Sequence, residues 1–101
     1  MQVKQADIIR QQHQFLVTGD LVLGNVMAVR DKSIRAFAQE RELIVDFSQL
    51  SGCDSSGLAL LLDWIVFARQ QQRSIRFRHL LPQMLSIAKA AGLEGVLSSY
   101  I

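Results

Sequence analysis

The feature that most constrains this chain is an apolar segment followed by a polar turn and a second, longer apolar segment. Residues 43–47 are apolar on both alternating faces except at Asp46, which is typical of a strand covered on both sides. A polar linker then leads to Asp54, a residue type favoured at helix N-caps. We therefore predict a buried strand, a turn, and a helix that begins at residue 55 or 56 and ends near residue 71.

The residues before this unit predict two strands and a helix. Short apolar runs at residues 8–9 and 15–18 indicate a pair of strands, with a polar turn between them and a turn-forming Gly-Asp pair after the second. From about residue 23 to residue 39, apolar side chains recur at intervals of three and four, which predicts an amphipathic helix. Its N-cap is either Asn25 or Asp20, and the sequence leaves both open.

The residues after the unit predict an edge strand and a last helix. Within residues 74–78, Ile75 and Phe77 alternate with arginines, as expected of a strand with one solvated face at the margin of a sheet. Pro82 suits the first turn of a helix, and Gly92 suits its C-terminal stop. Strands that alternate with helices in this order predict a largely parallel sheet with right-handed crossovers.

Length and composition limit the architecture. With 101 residues the chain is long enough for one domain, residues 1–101, built around a single core. Half of the residues are apolar and a fifth are charged, which is typical of a soluble, folded protein. We predict an α/β fold with a small, mixed and mostly parallel sheet of about four strands, with helices packed mainly on one face.

Charge and cysteine content narrow the partners and the compartment. A net charge of +2 does not require a nucleic acid as partner, and we predict none. The lone Cys53 excludes an internal disulfide, fits a reducing compartment and is expected to be a small buried side chain. No apolar run approaches the roughly 20 residues needed to cross a bilayer, and the first seven residues lack a secretory apolar core. We therefore expect a cytoplasmic location.

The turn at Asp54 carries two adjacent hydroxyl groups without the surroundings of known catalytic motifs. Neither Ser55 nor Ser56 has a glycine two positions before it, as the nucleophile elbow of α/β-hydrolases requires. The histidines, His13 and His79, give no sign of facing these serines and are interpreted as solvated side chains. No phosphate-binding loop ending in Gly-Lys-Ser/Thr is present. We predict that the chain is not an enzyme and has neither a cofactor nor a metal.

The helix predicted after the turn has apolar side chains on two sides. The stripe expected to face the core consists of Leu58, Leu61, Leu62 and Ile65. Leu60 and Phe67 fall nearly opposite this stripe, with Asp63 beside them and Trp64 at the border. Because little of so short a chain remains to cover the second side, we expect Leu60, Trp64 and Phe67 to form an exposed docking patch for another protein.

Several segments resemble STAS domains, the fold shared by anti-sigma factor antagonists and the cytoplasmic ends of some anion transporters. The resemblance rests on residues 45–48, the apolar Leu50, the Asp-Ser-Ser-Gly-Leu motif at residues 54–58, and the early segment at residues 15–21. It covers nearly the whole chain in the right order. Cys53 is a departure, since the family usually has a larger apolar residue there.

Within this family, the chain is most similar to the STAS subunit of Mla phospholipid ABC transporters of Gram-negative bacteria. Residues 57–62, 68–71 and 85–89 resemble segments of that subunit. The resemblance implies a non-catalytic subunit that binds and supports the transporter ATPase, with the hydroxyl of Ser55 and the following helix in the contact. It implies a role in maintaining outer-membrane lipid asymmetry, and a location peripheral to the inner membrane through the complex alone.

The alternative is an anti-sigma factor antagonist regulated by phosphorylation. Resemblance to that branch makes Ser56 the phosphosite and implies a serine kinase that is also an anti-sigma factor as partner. About two negative charges added beside an acidic side chain would change partner binding by repulsion and desolvation. The partner-binding residues predicted for the two branches together are Asp54, Ser55, Ser56, Gly57, Leu60, Asp63, Trp64 and Phe67.

Overall fold

The structure, a computed structural model, describes residues 2–101, which form five strands and four helices. In chain order these are β1 (Asp7–Gln11), β2 (Gln14–Leu21), α1 (Val26–Phe37), β3 (Glu42–Asp46), β4 (Leu50–Cys53), α2 (Ser55–Gln70), β5 (Ser74–Arg78), α3 (Pro82–Ala90) and α4 (Glu94–Ser98). The predicted order of strands and helices is confirmed, with β4 and α4 added to it.

The strands form one mixed sheet with the order β1-β2-β3-β5. β1 and β2 are antiparallel, while β2 pairs with β3, and β3 with β5, in parallel. β4 pairs in parallel with the last residues of β2, from Gly19 to Leu21. The predicted α/β fold with a mixed, mostly parallel sheet is therefore confirmed, and the estimate of about four strands missed β4. Its sequence, Leu-Ser-Gly-Cys, has weak strand propensity, because serine and glycine favour turns.

β2 continues three residues beyond its predicted end. The Gly-Asp pair expected to form a turn lies inside the strand, and Gly19 has a positive φ of 79°. The pairing with β4 shifts register between Gly19 and Asp20, so the unusual backbone is absorbed as an irregularity rather than a chain reversal. A Cβ atom at Gly19 would lie 2.1 Å from the carbonyl oxygen of Gln5, so only glycine fits there.

The main core lies between the helices and one face of the sheet. Phe47 packs near Phe77 and Trp64, with ring centroids 5.9 and 6.4 Å away. Phe15 of β2 meets Phe37 of α1 edge-on at 4.9 Å. Side chains alternate across a strand, so the exposed Arg76 and Arg78 lie on the opposite face of the sheet. This is the arrangement predicted for β5, with helices mainly on one side.

The start of α1 settles which of two residues occupies its N-cap. Asn25 holds that position, but its side chain does not cap the helix. Its amide Nδ2 instead donates to the carbonyl oxygens of Asp20 at 2.8 Å and Lys4 at 3.2 Å. Asn25 therefore ties the end of β2 and the N-terminal segment to the start of the helix.

Candidate partner-binding site

The turn between β4 and α2 is built around the carboxylate of Asp54. Oδ1 accepts a hydrogen bond from the backbone N–H of Ser56 at 2.8 Å, which makes Asp54 the N-cap of α2 as predicted. Oδ2 accepts from the backbone N–H of Leu23 at 3.2 Å. Partial burial acts to raise the pKa of Asp54, but the hydrogen bonds from Ser56 and Leu23 outweigh it and lower the pKa overall. The carboxylate is therefore held ionised and fixed in place.

The two serines differ in exposure. Ser55 is exposed at the first position of α2, whereas Ser56 is half-buried. Because the carboxyl ends of parallel strands meet at one edge of a sheet, α2 begins at the edge where β3, β4 and β5 end. Ser55 therefore presents its hydroxyl to the surroundings from a helix start that is already rigid.

Gly57 is a packing residue. It is buried, and a Cβ atom there would lie 2.9 Å from the carbonyl oxygen of Leu21 and 3.2 Å from the Cβ of Cys53. The absence of a side chain lets α2 approach the end of β2 closely. Gly57 was predicted to bind a partner, but because it is buried it does not offer a surface contact.

The predicted exposure of Leu60 and Trp64 is wrong. Leu60 is 4% exposed and Trp64 is 1% exposed, and Phe67 is partly buried against the core. α1 covers this side of α2: the indole Nε1 of Trp64 donates to the Ser33 hydroxyl at 2.8 Å. The ring of Phe37 lies edge-on to Trp64 at 5.8 Å. The second apolar side of α2 is therefore an internal contact between two helices.

The side of α2 that does reach the surface carries smaller and polar residues. Ala59, Asp63 and Val66 are exposed, at intervals of four and three residues. Among the predicted partner-binding residues, Asp63 lies on this side, and its Oδ2 accepts a hydrogen bond from Arg30 Nε at 2.7 Å. A cavity of about 280 Å³ lies between α1 and α2 beside Ser56, with Leu23, Met27 and Ala59 in its lining.

The apolar surface at this cavity was missed by the sequence interpretation. Leu23 lies in the loop before α1, and Met27 lies in the first turn of α1, so neither belongs to α2, the helix predicted to carry the docking patch. The spacing of Met27 from Arg30 and Ile34 on α1 is the available signal, since these residues share one outward face at helical intervals.

The histidines do not contribute a base to the serine turn. His13 is exposed, and His79 Nδ1 lies 2.8 Å from Oδ2 of the buried Asp46. Burial acts to raise the pKa of Asp46, while hydrogen bonds from Ser48 and His79 lower it overall. His79 is thus not simply a solvated side chain, because it joins the ends of β3 and β5. Within residues 2–101, neither histidine forms a hydrogen bond with Ser55 or Ser56.

The remaining reactive groups are the thiol of Cys53 and the side chains that can bind metals. Cys53 is buried, as predicted, and burial together with the charge of Asp54 raises the pKa of its thiol. In the described part of the chain, no cluster of three or more His, Cys, Asp or Glu side chains could hold a metal ion. None of the helices there combines the length and apolar character needed to span a membrane.

Comparison with known proteins identifies the family. The family model described as "Mlab, STAS domain" matches residues 5–98. The chain belongs to this STAS family. STAS domains generally act as non-catalytic regulatory proteins or subunits, through protein–protein interaction. The predicted resemblance to STAS domains of the MlaB type is therefore confirmed.

A solved structure supports the same fold. It is "Structure of the Anti-Sigma Factor Antagonist SpoIIAA in its Unphosphorylated Form", to which this chain is similar with a TM-score of 0.63 at 21% sequence identity. The match covers 89% of this chain and 83% of that one. No curated protein matches this chain in sequence.

Proposed function

We propose that this STAS domain is a non-catalytic subunit that binds the ATPase of an Mla-type ABC transporter. In this role it supports the phospholipid transport that maintains outer-membrane lipid asymmetry. The observation that carries the proposal is the match of residues 5–98, nearly the whole chain, to the MlaB-type family. The same proposal places the protein in the cytoplasm, peripheral to the inner membrane through its complex.

The start of α2 supports this role physically. Asp54 fixes the first turn of α2 through Ser56, and Gly57 lets the helix pack closely on β2. A contact surface that is rigid before association loses little conformational entropy when a partner binds. Ser55, exposed at this rigid position, can exchange a hydrogen bond with the ATPase without reorganising the domain.

The test is capture of the cognate ATPase by the purified domain. We expect wild-type protein to capture it and Ser55→Ala to bind more weakly while keeping its thermal unfolding midpoint. Ser86→Ala is the matched control, because Ser86 is an exposed serine on α3, outside the proposed contact. Absence of any association, under conditions in which the transporter assembles, would contradict the proposal.

A second function, anti-sigma factor antagonism, is favoured by the position of Ser56. Its backbone N–H is bound by Asp54 at the start of α2, where helix N-terminal amides favour an added negative charge. A phosphate on the half-buried hydroxyl would leave the helix in place and alter the surface beside it.

The experiment for this second function is incubation with a cognate kinase and ATP, followed by mass spectrometry. One added phosphate at Ser56, absent from Ser56→Ala, supports this function, and an unchanged mass argues against it.

A further inference from the structure

The helices α1 and α2 flank a surface groove that is lined by several of the exposed large apolar side chains of the domain. Nine large apolar side chains are exposed within residues 2–101, and four of them line this groove. They are Leu23 (74% exposed), Met27 (60%), Val66 (51%) and Ile34 (36%). Such clustering is typical of an interaction surface rather than of singly scattered apolar residues.

An ion pair divides the groove into two depressions. Arg30 on α1 and Asp63 on α2 bridge the helices with an Nε–Oδ2 distance of 2.7 Å, and both side chains remain substantially exposed. One depression, of about 280 Å³, contains Leu23 and Met27 and adjoins Ser56. The other, of about 120 Å³, contains Ile34 and Val66. Arg30 and Asp63 line both.

The two walls have the same spacing. On α1, Met27 and Ile34 are seven residues apart, and on α2, Ala59 and Val66 are also seven residues apart. Seven residues of helix span about 10 Å. A helix lying along the groove with apolar residues at positions i and i+7 would place one side chain in each depression, and a residue between them over the ion pair.

The chemistry of the walls selects a helix over an extended peptide. An extended segment gains affinity by pairing with the free edge of a sheet, but the walls here are two helices and Leu23, whose backbone N–H is bonded to Asp54. The occupant must therefore satisfy its own backbone hydrogen bonds. We propose that the α1–α2 groove receives an amphipathic α-helix of the partner ATPase, with apolar residues seven positions apart and a polar residue between them. This inference rests on the proposed function.

A lipid fits the groove less well than a helix. A lipid acyl chain would cover the Arg30–Asp63 ion pair with hydrocarbon and remove water from it without offering any polar group in return.

The test uses the domain and its cognate ATPase, with charges placed in each depression. Met27→Asp and Val66→Asp should each weaken ATPase binding about tenfold, the expected scale for losing one apolar anchor of an interface. Leu85→Asp is the matched control, because Leu85 is a comparably exposed apolar residue on α3, away from the groove. All three variants should keep the wild-type unfolding midpoint, since each replaced side chain lies at the surface.

Photo-crosslinking identifies the occupant. A photoreactive amino acid in place of Met27 or Val66 should react with ATPase residues seven positions apart in one helix. Cross-links to lipid, to a second copy of this chain, or to a non-helical ATPase segment would overturn the inference. Unchanged affinity in both charged variants, with wild-type binding intact, overturns it while leaving the proposed function standing. Failure of the wild-type protein to bind any ATPase removes the proposed function, and the inference with it.

Discussion

The contact between α1 and α2 has a buried inner side and an exposed outer side. On the inner side, Trp64 and Phe37 are packed edge-on and the indole N–H is bound by Ser33, so the contact is buried and its polar groups are satisfied. On the outer side, Met27 and Val66 are exposed across the groove. The inner side therefore determines stability, and the outer side is available for association. The same pair of helices can fulfil both roles because two depressions remain between them at the surface.

The largest loss of stability is expected from Trp64→Ala on the inner side. Removing a buried tryptophan should lower the free energy of unfolding by about 3–5 kcal/mol, and the Ser33 hydroxyl would lose its indole partner. Far-UV circular dichroism in urea measures the loss, because Trp64 is the only tryptophan and its removal abolishes the fluorescence signal.

Trp64→Phe is the matched variant for this contact. It keeps an aromatic ring against Phe37 while deleting the N–H donor, so its loss of stability should be clearly smaller than that of Trp64→Ala. Equal losses would show that the hydrogen bond to Ser33, rather than the packing of the ring, dominates the inner contact.

An intermediate effect is expected from Asp54→Ala at the end of the groove. Loss of an N-cap of this kind lowers the free energy of unfolding by about 1 kcal/mol, and here the bond to Leu23 is lost as well. The measurement is urea unfolding at neutral pH. A variant as stable as the wild type would mean that neither hydrogen bond to the carboxylate contributes to the fold.

The same residue predicts a dependence on pH. Its pKa is lowered by folding, so the carboxylate stabilises the domain above the ordinary aspartate pKa of about 3.9, and this contribution disappears as the pH falls through the folded-state value. Stability curves of wild type and Asp54→Ala should therefore converge in acid. Asp46, whose pKa is also lowered, remains in both proteins and cancels from the comparison. Curves that stay parallel into acid would contradict the assignment.

The smallest effect on stability is expected on the outer side. Met27→Ser removes an exposed side chain, and the free energy of unfolding should change by less than about 0.5 kcal/mol. The unfolding midpoint in urea checks this. A loss comparable with that of Trp64→Ala would mean that the groove is part of the core, and the contrast between the two sides of the helix pair would fail.

The contrast also marks how far the sequence could predict the structure. The start of α2 was predicted correctly because an aspartate N-cap acts on residues only two positions away. The burial of Leu60 and Trp64 was not, because it depends on where α1 packs, and Ser33 lies 31 residues from Trp64 in the chain. Helical periodicity gives two apolar sides for α2 without telling which is covered by another helix.

β4 was missed for a related reason. Its four residues form a strand through pairing with the end of β2, and that pairing needs the irregular backbone at Gly19. A glycine next to an aspartate predicts a turn locally, and only the tertiary contact turns it into a strand. The position of Ser55 at the start of α2 could be predicted from the sequence around it. The apolar cavity beside Ser56 could not, because it is formed by residues of both α1 and α2.

The carboxylate of Asp54 has one more consequence, which concerns chain topology. By accepting from Leu23, 31 residues earlier in the chain, it adds to a junction that already contains the bond from the Asp54 backbone N–H to the Leu21 carbonyl oxygen. The other oxygen of the same carboxylate holds the start of α2. One protonation event would therefore weaken the cap of α2 and the link to Leu23 together, while the pairing of β4 with β2 stays in place. Acid should loosen the mouth of the groove before it loosens the aromatic contact beneath.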